Sequence, residues 1–340
     1  MKILYLGIHE ILERDELALL TSLGHDVFSY QGAYAHPEGH INLKRPGIPG
    51  MTYHEDLDEE SRLYAKTKIP QSFIDKFDAV IIMHDPAVVV ENWDRMRHKP
   101  VIWRSIGQST PYVENMIRRM RYDGMKIIRM SPVEENISGY VGSDAMIRFY
   151  KDPDEWKDWN GDTKRVINFT QSLLGRRVDC HYDAIHRIME GFPALVYGSG
   201  NTDLWALDGG ELTYDLMKGA LRDNRVFVYG GTWPSPYTLA LQEAMMTGIP
   251  VVAIGEHLAE DLPERAVQDR INYYEIPNII TNNENGFVSD DINELREYVH
   301  QLLDNHDLAK RISIQGRKTA IKLWNKDNAE QAWDLFLKNL

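Results

Sequence analysis

Short apolar runs alternate with stretches of helical periodicity along most of this chain. KILYLGI at residues 2–8, then LERDELALLTSLG, then HDVFSY predicts a βαβ opening in which Gly24 ends the helix and His25 and Asp26 begin the next strand. DAVIIM (78–83), PVIW (100–103) and MKIIRM (125–130) read as further buried strands, with helices filling the gaps. The stretch from Gln31 to about Pro70 is rich in Gly, Pro and His and too long for a plain connection, the kind of segment that carries function. KDPDEWKDWNGDTK (151–164) is charged and contains a turn, which places a domain boundary there. A second alternating set starts at Arg165 to Phe169, continues with Ala194 to Tyr197, and closes on a helix from about Asp327 to Leu340. At 340 residues the chain is long for one core and comfortable for two α/β domains.

The densest signal runs from Arg225 to Ile254. Val226 to Tyr229 is a β-rich run stopped by Gly230 and Gly231, and Ile249 to Ile254 is a continuous apolar run suited to a parallel sheet. Between them the pattern predicts a helix, with Pro234 and Pro236 at a turn and the first helical position, Ser235 as cap, and Gly248 with Pro250 closing the far end. Such a helix start past the carboxyl end of a parallel strand is an anion site. Glu243, about two turns in, is expected to accept hydrogen bonds from sugar hydroxyls.

Composition narrows the classes. A formal charge of −13 argues against a general nucleic-acid surface. RMRH (95–98) and RRMR (118–121) are the densest basic segments; the second places its arginines on several faces of a helix and reads first as solvated surface, with a basic face beside an acceptor cleft or peripheral contact with an anionic membrane as the alternatives. No run approaches the roughly 20 apolar residues of a membrane span. The start meets acids too early for a signal peptide, and the single cysteine, Cys180, fits a reducing cytoplasm. There is no GKS or GKT phosphate loop, no GxSxG elbow and no HExxH helix among the 12 histidines, and GSGN (198–201) lacks the third glycine and the following helix of a dinucleotide fingerprint. Gly198 is better read as part of a nucleotide-side loop.

PSPYTLALQEAMMTGIPVV (234–252) resembles the donor-binding signature of retaining GT-B glycosyltransferases, glycosyltransferase family 4 (glycosyl transferases group 1). That family carries two glutamates eight positions apart. Glu243 matches the second, whose role is to hold the nucleotide ribose, and Ser235 stands at the first. DAVIIMHDP resembles a family strand end, which puts His84 and Asp85 at the mouth of the cleft, whereas Ile106 stands where a histidine is common. FTQSLLGRRVDCHYDAI resembles the segment that carries an arginine and, five residues on, a lysine for the donor diphosphate. Arg176 matches the arginine, His181 stands at the lysine position, and Arg177 is the candidate for the missing charge. NIITNNENGFVSDDINELREYVHQLLDN (278–305) matches the family's closing turn, strand and helix. Gly7 is the single glycine of a first loop in which relatives use a pair.

The resemblance implies an α/β GT-B fold of two Rossmann-like doubly wound domains facing across a cleft: an acceptor-side domain (1–155), a donor-binding domain (164–326), and a C-terminal helix (327–340) crossing back. It implies transfer of a hexosyl group from a nucleotide diphosphate sugar, with a UDP or GDP donor, to an acceptor hydroxyl with retention. His84, Asp85 and Arg176 are the catalytic candidates. Gly7, Arg176, Arg177, Gly198, Ser235, Pro236, Tyr237, Thr238, Leu239 and Glu243 are the donor-binding ones. Helix amides at Ser235 to Thr238 and the two arginines would neutralise the leaving diphosphate, so neither metal nor cofactor is required, and Asp152-Pro153-Asp154 is a charged turn rather than a metal loop. The acceptor remains open among a carbohydrate, a lipid-linked sugar, a small metabolite and a modified nucleobase. Tyr34, His36, His40 and Tyr53 in the long early stretch suit a sugar or polar aglycone. Two other readings stand beside transfer: a sugar-nucleotide-binding partner subunit that has lost turnover, and a nucleotide-sugar epimerase.

Overall fold

The computed structural model describes residues 1–32, 34–36, 45–260 and 274–340. His40 therefore lies outside the described residues. The chain divides into two compact units, residues 1–150 with 326–340, and residues 151–325.

In the first unit, β1 (Lys2–Leu6), α1 (Glu10–Ser22) and β2 (Asp26–Ser29) form the opening βαβ. Then follow α2 (Glu55–Ser61), α3 (Gln71–Ile74), β3 (Ala79–Met83), α4 (Pro86–Met96), β4 (Val101–Arg104), α5 (Pro111–Tyr122), β5 (Lys126–Arg129), a 3-10 turn (Pro132–Asn136) and β6 (Ala145–Met146). All six strands are parallel, in the order β2-β1-β3-β4-β5-β6. Their apolar residues are buried on both faces, as a sheet covered by helices on two sides requires. Phe28, Phe73 and Phe77 pack edge-on or tilted within one face of that core. The helices start where the sequence supplies caps: Asp85 accepts the Val88 amide before Pro86, and Thr110 accepts the Val113 amide before Pro111.

The second unit opens with β7 (Thr163–Phe169), α6 (Tyr182–Met189), β8 (Ala194–Tyr197), a 3-10 helix (Thr202–Leu207), β9 (Asp208–Gly210) and α7 (Tyr214–Asp223). It continues with β10 (Asn224–Tyr229), α8 (Leu239–Thr247), β11 (Val251–Ile254), α9 (Glu256–Glu260), α10 (Ile276–Ile279), β12 (Phe287–Ser289), α11 (Ile292–Asp304) and α12 (His306–Trp324). Its strands are also all parallel, in the order β12-β11-β10-β7-β8-β9. The last helix, α13 (Lys326–Lys338), belongs to the first unit, where the Trp333 indole donates to Glu16 at 3.2 Å and Ser22 donates to Glu330 at 2.9 Å.

The units divide between Tyr150 and Lys151, and Trp156 in the charged 151–164 segment is fully buried. Two local expectations are corrected. A short helix does follow GSGN, the 3-10 segment at Thr202–Leu207, kinked at Trp205 with φ 54°. The second concerns the helix before Gly248. It begins not at Ser235–Pro236 but at Leu239, with Thr238 as cap, so Glu243 is its fifth residue rather than two turns in. The tertiary reason is that the Thr238 amide is taken by the Tyr229 hydroxyl at 2.9 Å and the Pro236 carbonyl by the Glu275 amide at 3.0 Å, which holds 234–237 out of helical geometry.

Candidate functional site

Each sheet has one place where the strand order reverses direction, between β1 and β3 in the first unit and between β7 and β10 in the second. Crevices outside the carboxyl ends of parallel strands at such points are where this class of sheet binds ligands. The candidate residues gather at both.

In the second unit, β10 ends in Gly230 and Gly231, and the chain returns through 232–238 to the start of α8. A side chain at Gly230 would meet Ile185 at 2.9 Å and the Cys180 carbonyl at 3.4 Å, so glycine is what lets this loop lie against the turn that follows β7. The Trp233 amide donates to Asp179 O at 2.8 Å and binds the two segments. A small recess here is lined by His181, Thr232, Trp233, Ser235, Ala259 and Tyr274. Gly198 sits at φ 138°, where a Cβ would stand 2.7 Å from the Thr170 carbonyl oxygen, so the loops after β8 and β7 touch backbone to backbone. The α8 amides of Leu239 and Ala240 are the ones that helix geometry leaves without intrahelical acceptors, displaced by a turn from the expected anion site.

The charged candidates here have distinct surroundings. Arg176 is exposed, on the turn between β7 and α6. The Arg177 guanidinium makes two parallel bonds to Asp183, at 2.8 and 2.6 Å, with both side chains more than half exposed. His181, at the expected lysine position, is buried in a left-handed conformation and bonds the Ala259 carbonyl at 2.9 Å through Nε2. Ser235 is buried, and its amide donates to Thr232 O. Tyr237 packs its ring 5.4 Å from that of Trp324. Glu243 is buried and ion-paired with Lys151 at 3.1 Å, a partner the sequence did not suggest.

In the first unit, Gly7 and His84 follow β1 and β3 directly. A Cβ on Gly7 would stand 1.8 Å from the carboxylate of Glu13, so the glycine seats that side chain. Glu13 accepts from Ser29 at 2.7 Å and Tyr34 at 3.2 Å, and burial pushes its carboxyl up to about 7. Lys66 donates to the Gly7 carbonyl, and burial pulls its ammonium below the usual lysine range against the pull of Glu13 and Asp85. The long 31–70 stretch thus delivers a cation to the strand ends, which no spacing rule reveals. His84 is held at φ 46° with its ring 5.2 Å from Trp103. Burial, aided by the charge of Arg129, takes its imidazole down to about 4 against a backbone hydrogen bond with Gln108, so the ring is neutral at pH 7. Its Nδ1 is buried and has no partner among the described residues. Asp85 is the cap of α4.

Two strand-end arginines lie wholly inside this unit. Arg104 bonds Glu16 at 2.7 Å and stacks on Phe149 at 3.9 Å. Arg129 makes a bidentate pair with Glu114 at 2.7 and 2.9 Å. Of the basic helix segment, Arg121 is paired with Asp144 and Arg118 donates to Gly139 O. Among the described residues, no group of His, Cys, Asp and Glu is arranged to hold a metal ion, and no helix is long and apolar enough to cross a membrane.

No protein-family profile and no curated protein sequence matches this chain. Solved structures do. The whole chain aligns with the whole of Anabaena Alr3699/HepE, at 15% identity, with TM-scores of 0.68 for its complex with UDP and 0.67 for that with UDP-glucose. It is similar also to a glycosyltransferase from Rickettsia africae ESF-5, at TM-score 0.63 and 13% identity over 99% of this chain and 97% of that one. The fold is that of GT-B glycosyltransferases: an α/β protein with two six-stranded parallel sheets.

Proposed function

We propose that this protein is a glycosyltransferase that moves a hexosyl group from a nucleotide diphosphate sugar to an acceptor hydroxyl, with retention and without a metal ion. What supports the reading is the second unit's switch point, where the Gly230 loop leads from β10 into α8, the helix that carries Glu243, in a fold shared with a protein solved with UDP and with UDP-glucose. In this reading the α8 amides and Arg176 stabilise the charge that develops on the leaving diphosphate, and Glu243 accepts the ribose hydroxyls. Neutral His84 offers a hydrogen bond to donor or acceptor without bringing a charge.

One set of contacts favours a second reading, a partner subunit that binds sugar nucleotide without turnover. Arg177 is already engaged by Asp183, and His181 by a backbone carbonyl. The test is a panel of UDP- and GDP-sugars with and without candidate acceptors, following nucleotide release and the anomeric configuration of the product by NMR. Release with retained configuration supports transfer. Binding without release across the panel sinks it in favour of the subunit reading, and inversion refutes the retaining mechanism alone.

A further inference from the structure

Glu243 does not stand by itself, and what surrounds it is a built support. Lys151 Nζ lies 3.1 Å from Glu243 Oε1, with the lysine side chain 3% and the glutamate side chain 6% exposed. The lysine is fixed at both ends. Its backbone amide donates to the Trp324 carbonyl at the end of α12, at 2.9 Å, and its ammonium lies 5.6 Å from the centroid of the Trp156 ring. Arg317 of α12 in turn donates to the carbonyls of Pro153 and Trp156 and to that of Met246 on α8, clamping the 151–156 segment onto the helix that carries Glu243. Trp324 also packs against Tyr237, so two donor candidates rest on the same end of α12.

The pair lies in the protein interior, with the buried Trp156 ring beside the ammonium. Removing two charges from water costs several kcal/mol per ion, and replacing such a pair by apolar residues is often neutral or stabilising. Stability alone therefore gives little reason for it. What an apolar pair cannot do is present a charged acceptor at a fixed angle to a pair of hydroxyls, which make their strongest hydrogen bonds to ionised oxygens. We infer that Lys151 is a positioning residue for the nucleotide ribose, compensating and orienting the Glu243 carboxylate from the protein interior. The inference rests on the reading that Glu243 receives the ribose.

The test compares UDP and GDP with their 2′,3′-dideoxy counterparts by calorimetric titration of the full chain. Hydrogen bonds to a charged group are worth about 1.5–3 kcal/mol, so the wild type is expected to prefer the ribose form by about tenfold or more. Lys151→Met is expected to shrink that preference to below about threefold, and Lys151→Arg to keep it. A lysine with only a structural role would lower the melting temperature and leave the ratio unchanged. Should Lys151→Met fail to fold, Lys151→Gln retains a donor toward Oε1 without the charge, and the same collapse of the ratio is expected. A wild type without ribose preference overturns the Glu243 reading and this inference together. A wild-type preference that survives in a folded Lys151→Met or Lys151→Gln protein overturns this inference alone.

Discussion

Glu13→Gln is the most informative single substitution in the first unit. The carboxyl of Glu13 is packed against Gly7, accepts from Ser29 and Tyr34, and is held at about 7 by burial, against an ordinary 4.5. Its folded-state value is raised, so the native protein holds a proton that the unfolded chain releases between these values. Stability from this group is then complete below pH 4.5 and is lost as pH rises toward and past 7. With 1.36 kcal/mol per pH unit, the loss is about 1 kcal/mol at pH 5 and about 3 kcal/mol at pH 8. Glutamine fills the same seat without ionising: its carbonyl replaces one carboxylate oxygen as acceptor, and its NH2, in place of the other, donates to the second hydroxyl. Lys66 and Glu10 are the other charges acting on the site, and their opposing pulls are secondary to burial. Urea unfolding at pH 5 and pH 8 should show Glu13→Gln gaining about 2 kcal/mol more over wild type at the higher pH. Hydrogen exchange in β1 and α1 should localise the gain. An equal effect at both pH values, or a wild type whose stability does not fall across this range, would refute the argument that burial controls this carboxyl.

Glu243→Ala is expected to abolish the thermal shift that nucleoside diphosphates produce, and an unchanged shift would show that the ribose assignment is wrong. His84 has the opposite sign to Glu13: its imidazole is lowered from 6.5 to about 4, so its contribution is present above pH 6.5 and is lost as pH falls through 4. Wild type should lose about 2 kcal/mol between pH 7 and 5 that His84→Gln does not, as read by denaturant midpoints at the two pH values. Arg129→Met leaves Glu114 buried without its bidentate partner and should cost roughly 3–5 kcal/mol, measured by urea unfolding, whereas a cost below 1 kcal/mol would mean that the pair contributes no stability. Chelation with EDTA should leave sugar transfer unchanged, and loss of activity restored by a divalent ion would overturn the metal-independent reading.

Much of the architecture was legible along the chain because its signals are local. Continuous apolar runs such as AVIIM and VVAI became interior strands, Gly248 ended α8 at φ 99°, and Asp85 and Thr110 capped the helices that their prolines begin. The β12 strand and α11 likewise follow the turn at 281–286. The candidate site was only half legible. Glu243 and Gly198 stand out as candidates by pattern, whereas the burial and contacts of Lys66, Lys151 and Glu13 do not show along the chain. A lysine in a polar stretch and a glutamate on an amphipathic helix carry no local mark of burial.

Backbone chemistry and apolar periodicity decide which residues form strands and helices, since both act over a few residues, and so the twofold α/β plan follows from the chain alone. Where charge resides is a long-range matter. Glu243 gains its cation from a residue 92 positions earlier, and the helix that bears it starts at Leu239, after its cap Thr238, whose amide is captured by a tyrosine hydroxyl on the preceding strand. Arg177 makes its ion pair with Asp183, six positions on. A buried charge is tolerable only beside its complement. Which complement reaches it depends on distances that exist only once the sheet is assembled.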